Sequence, residues 1–298
     1  MEKTMLPAAR QPVIILGMHR SGTSMVSELL DQLGLFVGDR LQVDHESTFF
    51  LDLNEQLLHR VNASWDHPLP FLDFLDVEDA VTMTTAALAA DLRSGRAREF
   101  LGGSRWAGKA SFESFDKPWG WKDPRTVFSL PIWLRLFPQA RIVCIIRNGI
   151  DVAKSLMVRE QKLLKLRMQR FDGRMAKRSL RTYLDRAGYK GSVRCLKLAG
   201  GFDLWAEYVQ QAEKHLAAIS NPIHTLLYED MLADPRRHLP ELARFCQLET
   251  GDGVIENAIK KIDGSRALAF TSDPTAAAFF EQVKNTPWMV KYGYDRRA

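Results

Sequence analysis

The chain has 298 residues, 46% of them apolar, which is enough for a sizeable core in one large α/β domain or two smaller ones. Its 41 lysines and arginines against 36 aspartates and glutamates leave a formal charge of +5. That modest basic excess suits an anionic ligand and does not call for nucleic acid. Three cysteines without CxxC spacing (Cys144, Cys195 and Cys246) argue against a disulfide framework or a cysteine metal site, and are expected to be buried thiols in a reducing compartment.

Residues Met1–Gln11 lack the apolar core of a signal peptide and are expected to be a flexible N-terminus ahead of one domain over 12–298. No apolar run approaches the ~20 residues of a membrane span, so a cytoplasmic location is expected. The first predicted element is a short buried strand, Val13–Leu16, whose β-branched residues suit a parallel sheet. The chain then turns through Gly17–Gly22 and continues with helical spacing from Met25. A strand, a glycine-bounded turn and a helix make a phosphate cradle, because amides of the turn and the helix N-terminus converge on an anion. The spacing Gly17-x-x-x-x-Gly22 is that of a nucleotide P-loop, but Thr23 stands where Walker A has its lysine. The cation comes earlier, at Arg20.

Further along, 47–65 and 75–100 are predicted helices, the second Ala-rich and ending at Gly102-Gly103. A strand through Trp121 runs into Lys122-Asp123-Pro124-Arg125, and a short helix is expected from Pro131. The apolar run Ala140–Ile146 is a second clear strand; it feeds Arg147, with Ser155 eight residues later on a helix. Two helical turns bring that serine round to the same side. Segment 154–194 carries eleven Lys or Arg between Lys162 and Arg194, interleaved with leucines. It is a solvated basic helix, a mobile lid, or a helix for an anionic membrane surface. A core helix over 202–220 leads to a late strand through Leu226-Leu227, then Tyr228-Glu229-Asp230, and Asp234-Pro235 opens the next helix. Residues 251–298 read as helical and polar. Strands alternating with helices predict a doubly wound α/β fold, a parallel sheet flanked by helices with its site at the strand C-terminal ends. Arg20, Lys122, Arg147 and Tyr228 each follow a predicted strand, so they share one edge.

These motifs resemble those of the sulfotransferases that use PAPS (3′-phosphoadenosine 5′-phosphosulfate). Arg20-Ser21-Gly22-Thr23-Ser24 matches the family's 5′-phosphosulfate loop, Arg147 and Ser155 match its 3′-phosphate pair, and Tyr228 falls where an aromatic residue lies near the adenine. The Trp-Lys-Asp-Pro segment is similar to one whose lysine faces the transferring sulfuryl group, a role that passes to Lys122. The resemblance covers 12 to about 236, in the family's order, and implies a P-loop-like sulfotransferase fold. It implies PAPS as co-substrate, no metal, and an acceptor hydroxyl, with carbohydrates and glycolipids ahead of phenols. Peripheral membrane contact through 154–194 would suit a glycolipid.

The acceptor hydroxyl needs a general base. The Lys-Thr-His-Leu-Pro segment of the cytosolic members is missing. Other members place a glutamate shortly after the first helix, which makes Glu46 the first candidate and His45 the second, with Asp44 and Asp123 behind them. Two rivals stand beside this assignment. One is an atypical P-loop kinase or NTPase, disfavoured by the missing lysine. The other is an inactive nucleotide-binding scaffold, disfavoured by the joint presence of Arg20, Lys122, Arg147 and Ser155.

Overall fold

The computed structural model describes residues 10–102, 111–175 and 191–297. The chain divides into two compact units, Met1–Arg147 with Tyr208–Ala267, and Asn148–Glu207 with Leu268–Ala298.

The first unit holds the sheet. Strands β1 (Val13–Leu16), β2 (Gly120–Lys122), β3 (Arg141–Ile146) and β4 (Ile223–Leu227) pair in the order β2-β1-β3-β4, every pair parallel. A parallel sheet covered on both faces needs continuous apolar strands, and β1 and β3 supply them. Alternation assigns the two faces. Val13, Ile15, Val143, Ile145 and Leu226 join one core with Val26, Leu29 and Leu30 of α1 (Thr23–Gln32) and, from the far end of the unit, Leu239 and Leu242 of a helix over Pro235–Phe245. In β2 the same alternation sends Trp121 the other way, into an aromatic layer. Phe50 of α2 (Thr48–His59) stacks flat on it at 4.1 Å between ring centres, with Trp133 of α6 (Thr126–Leu136) edge-on at 5.2 Å. Lys122, one residue later, therefore turns toward the α1 side.

Several helix boundaries differ from expectation. The helix expected over 47–65 stops at His59, because the chain turns through Asn62 at φ 56° and closes a Ser64–His67 bridge. The span expected as one helix over 75–100 is two helices, α4 (Glu78–Arg93) and α5 (Ala97–Leu101), and a separate α3 (Pro70–Leu75) ends where that span begins. Pro70 starts a separate turn, and Ser94 breaks the helix by going extended and accepting the Arg96 amide on its hydroxyl at 3.1 Å. Helix α6 begins five residues before Pro131 and carries that proline inside it, with Val127, Phe128, Leu130, Ile132 and Trp133 buried around it.

The second unit is helical: α7 (Gly149–Met175), the N-terminal half of α8 (Leu198–Ala217), and two later helices over Pro274–Val283 and Pro287–Lys291. Helix α8 starts earlier than expected and takes in Gly200-Gly201, where side chains would meet the Arg194 carbonyl at 2.3 Å and Ala153 of α7 at 3.1 Å. Asp151 of α7 accepts the amides of Ala269 and Phe270 at 3.2 and 2.8 Å, tying the C-terminal segment to α7 within this unit. Of the basic segment expected over 154–194, residues 176–190 lie outside the described residues.

Candidate active site

The phosphate-type loop is built as its glycines dictate. Gly17 has φ 148°, and a β-carbon there would meet Thr23 at 2.7 Å and the Ile145 carbonyl at 2.8 Å. Gly22 has φ 87°, and a β-carbon would lie 2.2 Å from the Tyr228 ring. Only glycine fits either place. Between them Arg20 takes the left-handed conformation at φ 69°, uncommon for a residue with a side chain and typical of functional loops. Gly22 is also the N-cap of α1, and no side chain caps that helix end. The amides of the first turn are thereby left for an anion, where the helix dipole also favours negative charge.

Arg147, directly after β3, is held against this loop. Its guanidinium donates to the backbone carbonyl of Arg20 at 3.1 Å and of Arg266 at 3.0 Å, and lies over the Tyr228 ring at 4.6 Å from its centre. Tyr228, directly after β4, is buried between Gly22 and Arg147, and burial raises its phenol above the ordinary value although Arg147 opposes the shift. Its ring thus packs against both the loop and the arginine. Ser155 lies on α7, half-buried, in the second unit.

Lys122 is the centre of the arrangement. Its side chain is 1% exposed, and its ammonium donates to the Asp44 carbonyl at 2.6 Å, to Glu46 Oε1 at 2.9 Å and to Ser24 Oγ at 3.2 Å. Three acceptors satisfy all three of its protons. Glu46 reaches it from a loop that closes on itself through a Leu41–Ser47 bridge, with His45 left-handed at φ 58°. Burial holds Glu46 above the ordinary carboxylate value; Lys122 pulls it back down, and Asp123 adds to the rise. The neighbouring candidate goes elsewhere: the His45 ring pairs with Asp31 Oδ2 of α1 at 3.1 Å. Asp123 is fully buried and accepts the Arg125 amide at 2.9 Å and its guanidinium at 3.1 Å, while Arg125 also reaches Glu55 at 2.7 Å.

Within the first unit the structure therefore gathers Arg20, Ser21, Gly22, Thr23, Ser24, Glu46, Lys122, Arg147 and Tyr228 about the C-terminal ends of four parallel strands. Sequence reasoning missed Asn54, which bonds to Asp123 from α2. Among the described residues no cluster of three or more His, Cys, Asp or Glu side chains is arranged to hold a metal ion.

The sulfotransferase family model matches residues 12–252, and the chain belongs to that family. The family match agrees with the sulfotransferase motifs read in the sequence. Among curated proteins no sequence relative is found. Solved structures similar to it include the sulfotransferase domain from the curacin biosynthetic pathway, at 17% identity over 94% of this chain and 98% of that one, with a TM-score of 0.49. A sulfotransferase from Mycobacterium tuberculosis H37Rv is 14% identical over 86% of this chain and 72% of its own, with a TM-score of 0.48. A mouse sulfotransferase complexed with PAP is 12% identical over 89% and 67%, with a TM-score of 0.40.

Proposed function

We propose that this sulfotransferase moves a sulfuryl group from PAPS to a hydroxyl of a carbohydrate, glycolipid or related metabolite, with Glu46 as general base. The observation that carries this reading is the Lys122 ammonium, bonded at once to Ser24 of the anion loop and to Glu46. One buried cation joins the place where the donor's charge would sit to the group that would take the acceptor's proton.

The residues fit the co-substrate. The α1 N-terminus lacks a side-chain cap, and Arg20 and Arg147 bring two cations to the loop. Ser21 to Ser24 would hold the 5′-phosphosulfate and Arg147 the 3′-phosphate, its flat fork matched to phosphate oxygens. PAPS supplies an activated sulfuryl group. The transfer resembles phosphoryl transfer in needing alignment and charge stabilisation more than covalent help from the protein. As the acceptor oxygen bonds to sulfur, its proton passes to Glu46, and the S–O bond to the 5′-phosphate breaks with its electron pair on that phosphate. Lys122 and Arg20 stabilise the charge that grows on this oxygen.

The acceptor class rests on surface chemistry. Helix α7 presents Val158, Leu166 and Met168 as exposed apolar residues alongside Lys162, Lys165 and Arg167, which supports contact with an anionic lipid surface. Among the described residues no helix is long and apolar enough to cross a membrane. Cys144, Cys195 and Cys246 are all buried and free, which supports a reducing, cytoplasmic setting.

Binding tests the reading first. Calorimetry should show binding of PAP (adenosine 3′,5′-bisphosphate) without Mg²⁺ and no comparable binding of ATP with or without it; the reverse would make this an atypical NTPase. Arg147→Ala removes a charge-assisted contact worth about 1.5–3 kcal/mol, so affinity for PAP should fall roughly ten- to a hundredfold. Affinity for the 5′-nucleotide lacking the 3′-phosphate should hardly change, and equal losses for both would make Arg147 a structural residue. Incubation with labelled PAPS and carbohydrate or lipid extracts, followed by mass spectrometry, then identifies the acceptor. PAP binding without transfer to any extract would support the inactive scaffold.

A further inference from the structure

Helix α2 carries one polar side chain that nothing in the sequence marks as special. Asn54 is fully buried, and its amide uses every hydrogen-bonding site it has. The amide nitrogen donates to Asp123 Oδ2 at 3.0 Å and to Thr126 Oγ1 at 3.1 Å. Its oxygen accepts the Ser129 hydroxyl at 2.7 Å and the Trp133 indole at 2.9 Å. Thr126 in turn accepts the Trp121 indole at 3.3 Å. A single amide therefore ties α2 to the residue after β2 and to three residues of α6.

Its position gives that tie a consequence. Glu46 stands two residues before α2, and Lys122 is the residue before Asp123. The 2.9 Å contact from Lys122 to Glu46 and the 3.0 Å contact from Asn54 to Asp123 thus both join the stretch 46–54 to the consecutive residues 122 and 123. The first joins two reacting groups; the second has no exposed or reacting member. We propose that Asn54 is a positioning residue, which holds the Glu46 loop against the end of β2 and so sets the geometry of the Glu46–Lys122 pair. The inference rests on the proposed roles of those two residues. It adds that their alignment is determined from the far side of Asp123, by a residue that touches neither.

A merely structural Asn54 would matter only for stability, so the test needs a readout of the pair itself. Glu46 faces Lys122 and Asp123 at the end of β2, with Arg125 beyond them. If the tie is cut, the contact to Lys122 loosens and loses part of its downward pull on the carboxyl, so Glu46 should take up its proton at a higher pH. The carboxyl can be followed by NMR in protein carrying ¹³C at the glutamate side-chain carboxyls, its signal assigned by Glu46→Gln. In Asn54→Ala the midpoint should rise by about half a pH unit or more, while affinity for PAP stays within about twofold of wild type because the anion loop is untouched.

Trp133→Phe is the control. It removes a donor from the other side of the same amide and should lower the melting temperature without moving the Glu46 midpoint. If Asn54→Ala does not fold, Asn54→Ser removes both amide donors while leaving a hydroxyl in the space, and carries the same test. A Glu46 midpoint unchanged in the Asn54 variant overturns the inference, as does an equal shift in Trp133→Phe. Neither result depends on turnover. Failure of the functional reading would appear separately, as a wild-type protein that does not bind PAP or a Glu46→Gln variant with full activity.

Discussion

Glu46→Gln is expected to cut turnover by about 10²–10⁴ while leaving the fold and PAP affinity intact. The substitution keeps size and leaves an oxygen for the Lys122 ammonium, which also retains the Asp44 carbonyl and Ser24 hydroxyl. What disappears is the proposed proton acceptor alone. The pH profile supplies a second check, with a sign fixed by the surroundings. Burial raises Glu46 above its ordinary value of 4.5, and Asp123 adds to the rise against the pull of Lys122 and Arg125. A base works only when deprotonated, so the acidic limb of kcat/KM should lie above 4.5 and vanish in Glu46→Gln. His45→Asn should leave both turnover and the limb close to wild type, because that ring is engaged with Asp31. A Glu46→Gln variant of full activity would move the base elsewhere, with Asp123 and Asp44 the next groups to test.

The parts of the site legible in the sequence share one property: their signal is local. A β-branched run, two glycines with fixed spacing and a helix start lie within a dozen residues, and β1, the loop and α1 fall where Val13–Leu16, Gly17 and Gly22 put them. Strand β3 is equally plain, its apolar run bracketed by Arg141 and Arg147. The Trp-Lys-Asp-Pro segment gave Lys122, and strand alternation explains why Lys122 and not Trp121 meets Ser24. Asn54 was invisible because its meaning is entirely long-range. Its partners lie 69 to 79 residues away, and within Phe-Leu-Asp-Leu-Asn-Glu an asparagine looks like any residue on a solvated helix face. The role of Tyr228 was legible only in part. Its place after β4 was readable, but its contact with Gly22 joins residues from opposite ends of the unit's chain path. The break between α4 and α5 depended on one serine accepting an amide two residues on, which an Ala-rich stretch conceals.

Removing the lysine should separate catalysis from stability in a way that no other substitution here does. Lys122 and Glu46 are 1% and 9% exposed, so Lys122→Met strands a carboxylate in a buried site. Breaking one side of such a pair typically costs about 3–5 kcal/mol, because the remaining charge keeps its desolvation penalty and loses its partner. The Lys122→Met protein should therefore melt well below wild type, and more so as the pH rises. The sign follows from the carboxyl: unpaired and buried, it holds its proton more tightly in the folded state than in the unfolded one. Stability is then greatest below the unfolded value of 4.5, and is lost as pH rises through the higher folded value. Adding Glu46→Gln removes that charge, so the double variant should recover most of the lost stability and lose the added pH dependence. Turnover should not recover, since both the proposed base and the cation proposed to face the departing oxygen are gone. Restored melting with restored activity would show that the pair serves the fold and that the chemistry belongs to other residues. Restored melting with activity still absent is the expected outcome, and thermal unfolding across pH beside a PAPS turnover assay distinguishes the two.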